Sequence, residues 1–187
     1  MMENKIYYTS TYNSPFGRYT LLSDGKNLVG TWLYGQKHYM EGNYLNTIED
    51  NNLEIFNNTK RLLDEYFKGK RQTFENLPLC YCGSDFRKLI LDLLQKIPYG
   101  KTVSYGYLAN EVAKLSGRDK ISARAVGAAV GRNPISIIIP CHRVVGADRS
   151  LVGYAGGLQT KIKLLTLEGV DITKFHLPNT KGQLISD

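Results

Sequence analysis

The chain has 187 residues, 42% hydrophobic and 22% charged, the proportions of an ordinary soluble globular protein, long enough for one domain or two small ones. No apolar run approaches membrane-spanning length and "MMENKIYYTS" lacks a secretory apolar core, which points away from a membrane or secreted protein and toward a cytoplasmic one. A formal net charge of +7 permits attraction to polyanions without requiring it.

The first third alternates like a sheet. Strands are predicted at roughly 5–11, 17–23 and 27–34, separated by the turn signals Asn13-Ser14-Pro15 and Asp24-Gly25-Lys26-Asn27, a spacing that suits antiparallel pairing. A polar, Asn-rich run follows. Then comes a helix over roughly 49–68, with Phe56, Leu63, Tyr66 and Phe67 toward one side and Gly69 as its stop. Residues 70–83 read as a connection between halves.

The second half is helical. Ser84 or Asp85 caps a helix whose apolar positions Phe86, Leu89, Ile90, Leu93, Leu94 and Ile97 form one continuous stripe. After the turn "PYGK", Ser104 opens a helix carrying Leu108, Val112 and Leu115, and Ser122 opens another that reads "ARAVGAAVG". Two short helices joined by a Gly-containing turn suggest a helix-turn-helix. The second of them is nearly bare of side chains. Either it is a tightly packed core helix, or its backbone must approach another surface closely, with Arg124 the single long group near its first turn; small residues plus one arginine suit a minor groove. Next, four of the five residues from Ile135 to Ile139 are isoleucine, which predicts a short buried strand ended by Pro140. A last helix is expected from about Leu158 to Glu168, ended by Gly169, with Leu158, Ile162 and Leu165 buried and Glu168 close to that apolar side. A carboxylate there needs a partner, because an unpaired buried charge is costly.

Three cysteines are present, an odd number that argues for reduced thiols over a disulfide framework. Cys80 and Cys82 flank Tyr81 at the wrong spacing for a zinc knuckle and read as structural thiols. Cys141 is different, lying where a strand is expected to stop and beside His142. A thiol of ordinary pKa is only about 3% thiolate at neutral pH, so a nucleophilic cysteine wants a base and the base wants an orienting group. His142 and Glu168 are the candidates. Successive side chains of an extended chain point to opposite faces, so a bridging water is needed to relay the proton from Cys141 to His142. On the residues alone the alternatives are an inert buried cysteine and a papain-type hydrolase or amidase.

The order of four segments narrows this. "VSYGYLA", "ARAVGAAVGRNP", "NPISIIIPCHRVVG" and "GYAGGLQTKIKLLTLEG" together resemble the O6-alkylguanine-DNA alkyltransferases from about Phe86 to Gly169, and "SPFGRYTLLSDGKNLVGTW" resembles, more loosely, that family's ribonuclease-H-like N-terminal sheet. The resemblance implies an α/β (α+β) protein: an N-terminal ribonuclease-H-like antiparallel sheet with helix over 1–80 and a helical winged-helix or helix-turn-helix-like domain over 84–170 carrying the site. It does not explain the tail, 171–187, which either lacks order or packs as an extra element. It implies direct-reversal DNA repair, in which the Cys141 thiolate takes a methyl or small alkyl group from O6-alkylguanine, and from O4-alkylthymine. A thioether has no hydrolytic exit, so each molecule acts once.

By the same resemblance His142 and Glu168 become the activating pair, and Tyr105 assists the departing guanine. Arg124, beside Ala125 and Ala128 on the DNA-binding helix, fills the gap left by a base flipped out through the minor groove, which in-line attack requires. Asn133 pins the turn before the active-site strand. Val152, Tyr154, Gly156 and Gly157 wall the pocket, with Lys161 supporting it. No cofactor or metal is expected, the partner is double-stranded DNA containing O6-alkylguanine, and the protein is expected to be a monomer. The rivals are a non-repairing lesion sensor and a cysteine hydrolase.

Overall fold

The computed structural model describes residues 5–42, 44 and 46–178. The chain falls into two compact units, one comprising the residues up to Cys82 with Pro134–Ile138, the other Gly83–Asn133 with the chain from Ile139 onward. A division of the sequence at 80 and 84 does not foresee the return of Pro134–Ile138 to the first unit.

In the first unit, strands β1 (Tyr7–Ser14), β2 (Gly17–Ser23) and β3 (Leu28–Leu33) pair antiparallel, Thr11 opposite Thr20 and Leu21 opposite Thr31. Ser14 Oγ accepts from Phe16 N–H, and Asp24 Oδ1 accepts from Asn27 N–H, closing the two turns. A fourth strand, β4 (Thr47–Glu49), runs parallel to β1, giving the order β3-β2-β1-β4. The sheet is therefore mixed where a purely antiparallel one was expected. All three β4 residues are exposed, so no inside–outside alternation announces them. Helix α1 (Glu54–Phe67) consequently starts five residues later than the sequence suggests. It buries Phe56, Leu63 and Tyr66 as expected, with Ile55 and Thr59, while Phe67 is half-buried.

The isoleucine run is buried but is not a strand. One isolated bridge joins Ile135 to Thr31, with Thr31 N–H donating to Pro134 O (2.8 Å) and Ser136 N–H to Thr31 O (2.9 Å). The chain then turns at Ile137, whose φ of 72° is left-handed and unusual for a β-branched residue. An apolar run this short reports burial without reporting conformation.

In the second unit Ser84, Ser104 and Ser122 cap α2 (Asp85–Gln95), α3 (Tyr105–Ser116) and α4 (Ala123–Val130), each accepting from the N–H three residues on. Ile90, Leu91 and Leu94 of α2, Leu108 and Val112 of α3, and Val126 and Val130 of α4 supply the core. Leu115 is an exception to the expected stripe and is 60% exposed. Short strands β5 (Val103–Ser104) and β6 (Val144–Val145) pair in parallel, and a 3-10 turn, Cys141–Arg143, leads into β6. Helix α5 (Leu158–Leu167) ends before Gly169, whose φ is 76°. The described part of the tail packs on this unit: a second 3-10 turn, Ile172–Lys174, leads to Phe175, buried with Val145, Leu151 and Leu165. Residues 179–187 of the tail lie outside the described residues. No helix among the described residues is long and apolar enough to cross a membrane.

Candidate active site

Cys141 opens its 3-10 turn with only 4% of its surface exposed. In such a turn successive side chains are about 120° apart, so the opposite-face geometry expected of an extended chain does not apply. Asn133, following α4, sends its side-chain amide to two acceptors, Ile139 O at 2.7 Å and Cys141 Sγ at 3.1 Å. One amide thus ties the residue after α4 to the Cys141 sulfur. Burial pushes the Cys141 thiol up, against the lowering effect of the Asn133 hydrogen bond and the nearby Lys161 charge.

Behind Cys141 lies a buried ionic cluster. His142 Nε2 is 2.7 Å from Glu168 Oε1, and both side chains are fully buried. Arg143 forks the same carboxylate, Nε to Oε2 at 2.8 Å and NH2 to Oε1 at 2.9 Å, while its NH1 donates to Ile97 O at 2.5 Å. Gly100 N–H completes the set at 3.1 Å from Oε2. Gly100 must be glycine, because its φ is 71° and a Cβ there would stand 2.8 Å from Glu168 O. Burial would raise the Glu168 pKa, but the hydrogen bonds from His142 and Arg143 outweigh it and hold the carboxyl at about 2. An ionised carboxylate can only accept, so Nε2 of His142 carries the proton and Nδ1 is the basic nitrogen of the neutral ring. Burial lowers the His142 pKa, opposed by Glu168.

The loop after β6 closes the other side. Tyr105 OH donates toward Gly153 O (3.1 Å) and Val152 O (3.3 Å), and burial raises its pKa. Gly153 has a φ of 62° and no room for a side chain, since a Cβ would sit 2.8 Å from that hydroxyl. Lys161 is not a solvated charge. It is fully buried, its Nζ donating to Val144 O (2.5 Å) and Val152 O (2.6 Å), and burial lowers its pKa to about 8. The half-buried Tyr154 sets its ring edge-on to His142, 6.4 Å between centroids. Gly156 and Gly157 form the turn that opens α5, where Gly157 takes a φ of 87°.

Arg124, Ala125 and Ala128 are not part of this buried network. All three lie on the exposed face of α4. The inner side of the helix meets Tyr105, whose ring lies 3.7 Å from where a Gly127 side chain would begin.

Residues 85–170 match the family model of the 6-O-methylguanine DNA methyltransferase DNA-binding domain, and residues 6–81 match the model of the same family's ribonuclease-like domain. The methylated-DNA–protein-cysteine methyltransferase of Haemophilus influenzae is 40% identical over 176 residues, which cover 94% of this chain and 93% of that protein. The chain belongs to the methylated-DNA–protein-cysteine methyltransferase family. The relative from Methanosarcina acetivorans is 41% identical, over 87% of this chain and 98% of its own length. Among solved structures, the crystal structure of Mycobacterium tuberculosis OGT in complex with DNA superposes with a TM-score of 0.74 at 37% identity, covering 87% of this chain and 92% of that one.

For this methyltransferase, sequence reasoning missed Arg143, Gly100 and Gly153. Arg143 left a signal. A guanidinium between His142 and the apolar pair Val144-Val145 needs an anion, and Glu168 was already a carboxylate in need of a partner. Gly100 and Gly153 left none, since their roles depend on long-range approach.

Proposed function

We propose that this protein repairs alkylated DNA by direct reversal, with Cys141 as the nucleophile and O6-alkylguanine, together with O4-alkylthymine, as the lesion. The carrying observation is the pairing of a buried thiol, touched by the Asn133 amide at 3.1 Å, with a His142–Glu168–Arg143 cluster directly behind it. The thiol proton passes through a bridging water to Nδ1 of His142, and Glu168 stabilises the imidazolium that forms. Asn133 donates to the developing thiolate. The sulfur then attacks the alkyl carbon in line with the C–O bond, which breaks with its electron pair remaining on O6. One proton returns to the base, giving guanine and an S-alkylcysteine.

Outside the pocket, the exposed face of α4 enters the minor groove. Ala125 and Ala128 allow close approach, and Arg124 takes the place of the extruded nucleotide. Tyr105 meets the flipped base, and Val152, Tyr154, Gly156 and Gly157 enclose it while Lys161 braces the loop carbonyls. The protein works as a cytoplasmic monomer that needs no cofactor or metal. The lesion-sensing reading is not favoured, because the relatives that match over most of the chain are named methyltransferases.

Cys141→Ser tests this reading. We expect the variant to bind an O6-methylguanine duplex within about twofold of wild type while transferring no methyl group. Residual transfer by the serine variant would remove Cys141 from the role.

A further inference from the structure

The alkyl-transfer chemistry leaves unexplained the segment "VDITKFHLPNTKGQLISD" that follows Gly169. Its described part lies along loop 146–153. Phe175, 7% exposed, is packed with Val145, Leu151 and Leu165. Beside it the two backbones join. Leu151 N–H donates to His176 O at 2.9 Å, and a parallel bridge pairs Ser150 with His176. His176 Nε2 lies 3.1 Å from Asp148 O and 3.4 Å from Asp148 Oδ2, and Asp148 Oδ1 in turn accepts from Ser150 Oγ at 2.6 Å.

The opposite side of that loop faces the reaction. Leu151 is held by the tail, and the next residue, Val152, offers the carbonyl that receives both Lys161 Nζ and Tyr105 OH. Within the loop Gly146 N–H donates to Ser150 O at 2.8 Å, which closes the first turn but leaves the Leu151 amide to the tail. Arg149 sits at a left-handed φ of 66°, a conformation costly for a non-glycine residue, so the loop gains from being tethered.

We propose that the Phe175–His176 strap is a positioning element of alkyl transfer. It fixes loop 146–153 so that the Val152 and Gly153 carbonyls hold Tyr105 and Lys161 beside the Cys141 pocket. The inference rests on the alkyl-transfer reading above. The strap's described contacts include Val145, Asp148, Leu151 and Leu165 but not Arg124, Ala125 or Ala128, so loosening it should slow the chemical step and leave DNA docking alone. Displacements near 1 Å at such a site cost up to about 100-fold in rate.

The test is single-turnover methyl transfer from an O6-methylguanine duplex by the full chain, at a temperature where circular dichroism shows each variant folded. Phe175→Ala should lower the limiting rate about tenfold. Its half-saturating duplex concentration should stay within about twofold of wild type, and hydrogen exchange at the Leu151 and Val152 amides should quicken. Phe175→Leu, which refills the site, should restore the rate. If Phe175→Ala does not fold, His176→Ala carries the same test with an expected loss of about threefold, because it removes the Asp148 contact without opening the core. An unchanged limiting rate in folded variants overturns the proposal, as does a slowed rate with unchanged exchange at Leu151. Absence of transfer by wild type would instead overturn the alkyl-transfer reading.

Discussion

Glu168 accepts four hydrogen bonds, from His142, from two nitrogens of Arg143 and from Gly100 N–H. Removing one partner from such a buried cluster leaves charge uncompensated, so Arg143→Ala should destabilise the protein by about 3–5 kcal/mol in urea titration. A loss below 1 kcal/mol would mean that His142 and Gly100 suffice. The same carboxyl gives a pH signature. Its folded pKa of about 2 lies below the roughly 4.3 of an unfolded glutamate, so the unfolded state binds the proton first. The stabilisation is therefore complete above about pH 4.3 and lost as pH falls toward 2, amounting to about 3 kcal/mol. Stability curves of wild type and Glu168→Gln should converge by about that amount between pH 5 and 2; parallel curves would contradict the assignment. Lys161 acts at the other end. Burial depresses its folded pKa to about 8, against roughly 10.4 unfolded, so the cost of the buried charge is full below pH 8 and relieved as pH rises toward 10.4. Lys161→Met should abolish that alkaline gain. At this scale His142 and Glu168 were legible as polar groups in apolar surroundings, whereas Cys141, an ordinary residue for a core, stood out only through its place beside His142 and the family resemblance. Arg143 carried the same kind of signal, a charge in an apolar stretch, but Glu168 had already been given a partner in His142 and its capacity to accept from both was not drawn from the sequence.

The three serine caps show how much an element can declare of itself. Ser84, Ser104 and Ser122 each precede a helical apolar pattern, and each side chain takes the N–H expected of it. Elements stabilised by distant neighbours declare less. Strand β4 exists because Tyr7 N–H reaches Asn46 O and Asp50 N–H reaches Thr9 O, bonds that no periodicity within "TIE" encodes. The run 135–139 likewise takes its shape from Thr31 and not from its own isoleucines. Helix α4 combines both behaviours: Val126 and Val130 are legible core positions, while the exposed face with Arg124, Ala125 and Ala128 is the one proposed to meet DNA. Two substitutions probe that face. Arg124→Ala should slow repair of lesion duplex at least tenfold while changing attack on free O6-benzylguanine less than twofold, because only the duplex requires a base to leave its stack. Equal losses on both substrates would contradict the flipping role. Ala128→Glu should weaken duplex binding about tenfold or more without altering the fold, since it sets a like charge against the phosphates; unchanged affinity would move the DNA to another face.

At the scale of the whole molecule, a close-packed reaction centre has a consequence for the product. Cys141 is 4% exposed, so under the proposed mechanism a methyl group added to its sulfur would have to be accommodated in a buried, closely surrounded position. Overpacking of this kind costs about 1–3 kcal/mol, so the alkylated protein should melt several degrees below the unmodified one. An unchanged melting temperature would mean that the pocket already holds space for the alkyl group. The other two thiols give an internal control: Cys80 is half-buried with its pKa raised by burial, and Cys82 is exposed, yet neither adjoins a histidine–carboxylate pair. The most direct test is intact-protein mass spectrometry, with peptide mapping, after incubation of excess protein with a duplex carrying one O6-methylguanine. The account predicts the gain of one methyl group on Cys141, none on Cys80 or Cys82, matched one for one by restored guanine. Tight binding with the lesion intact and no mass gain, or a methyl group on another cysteine, would contradict it.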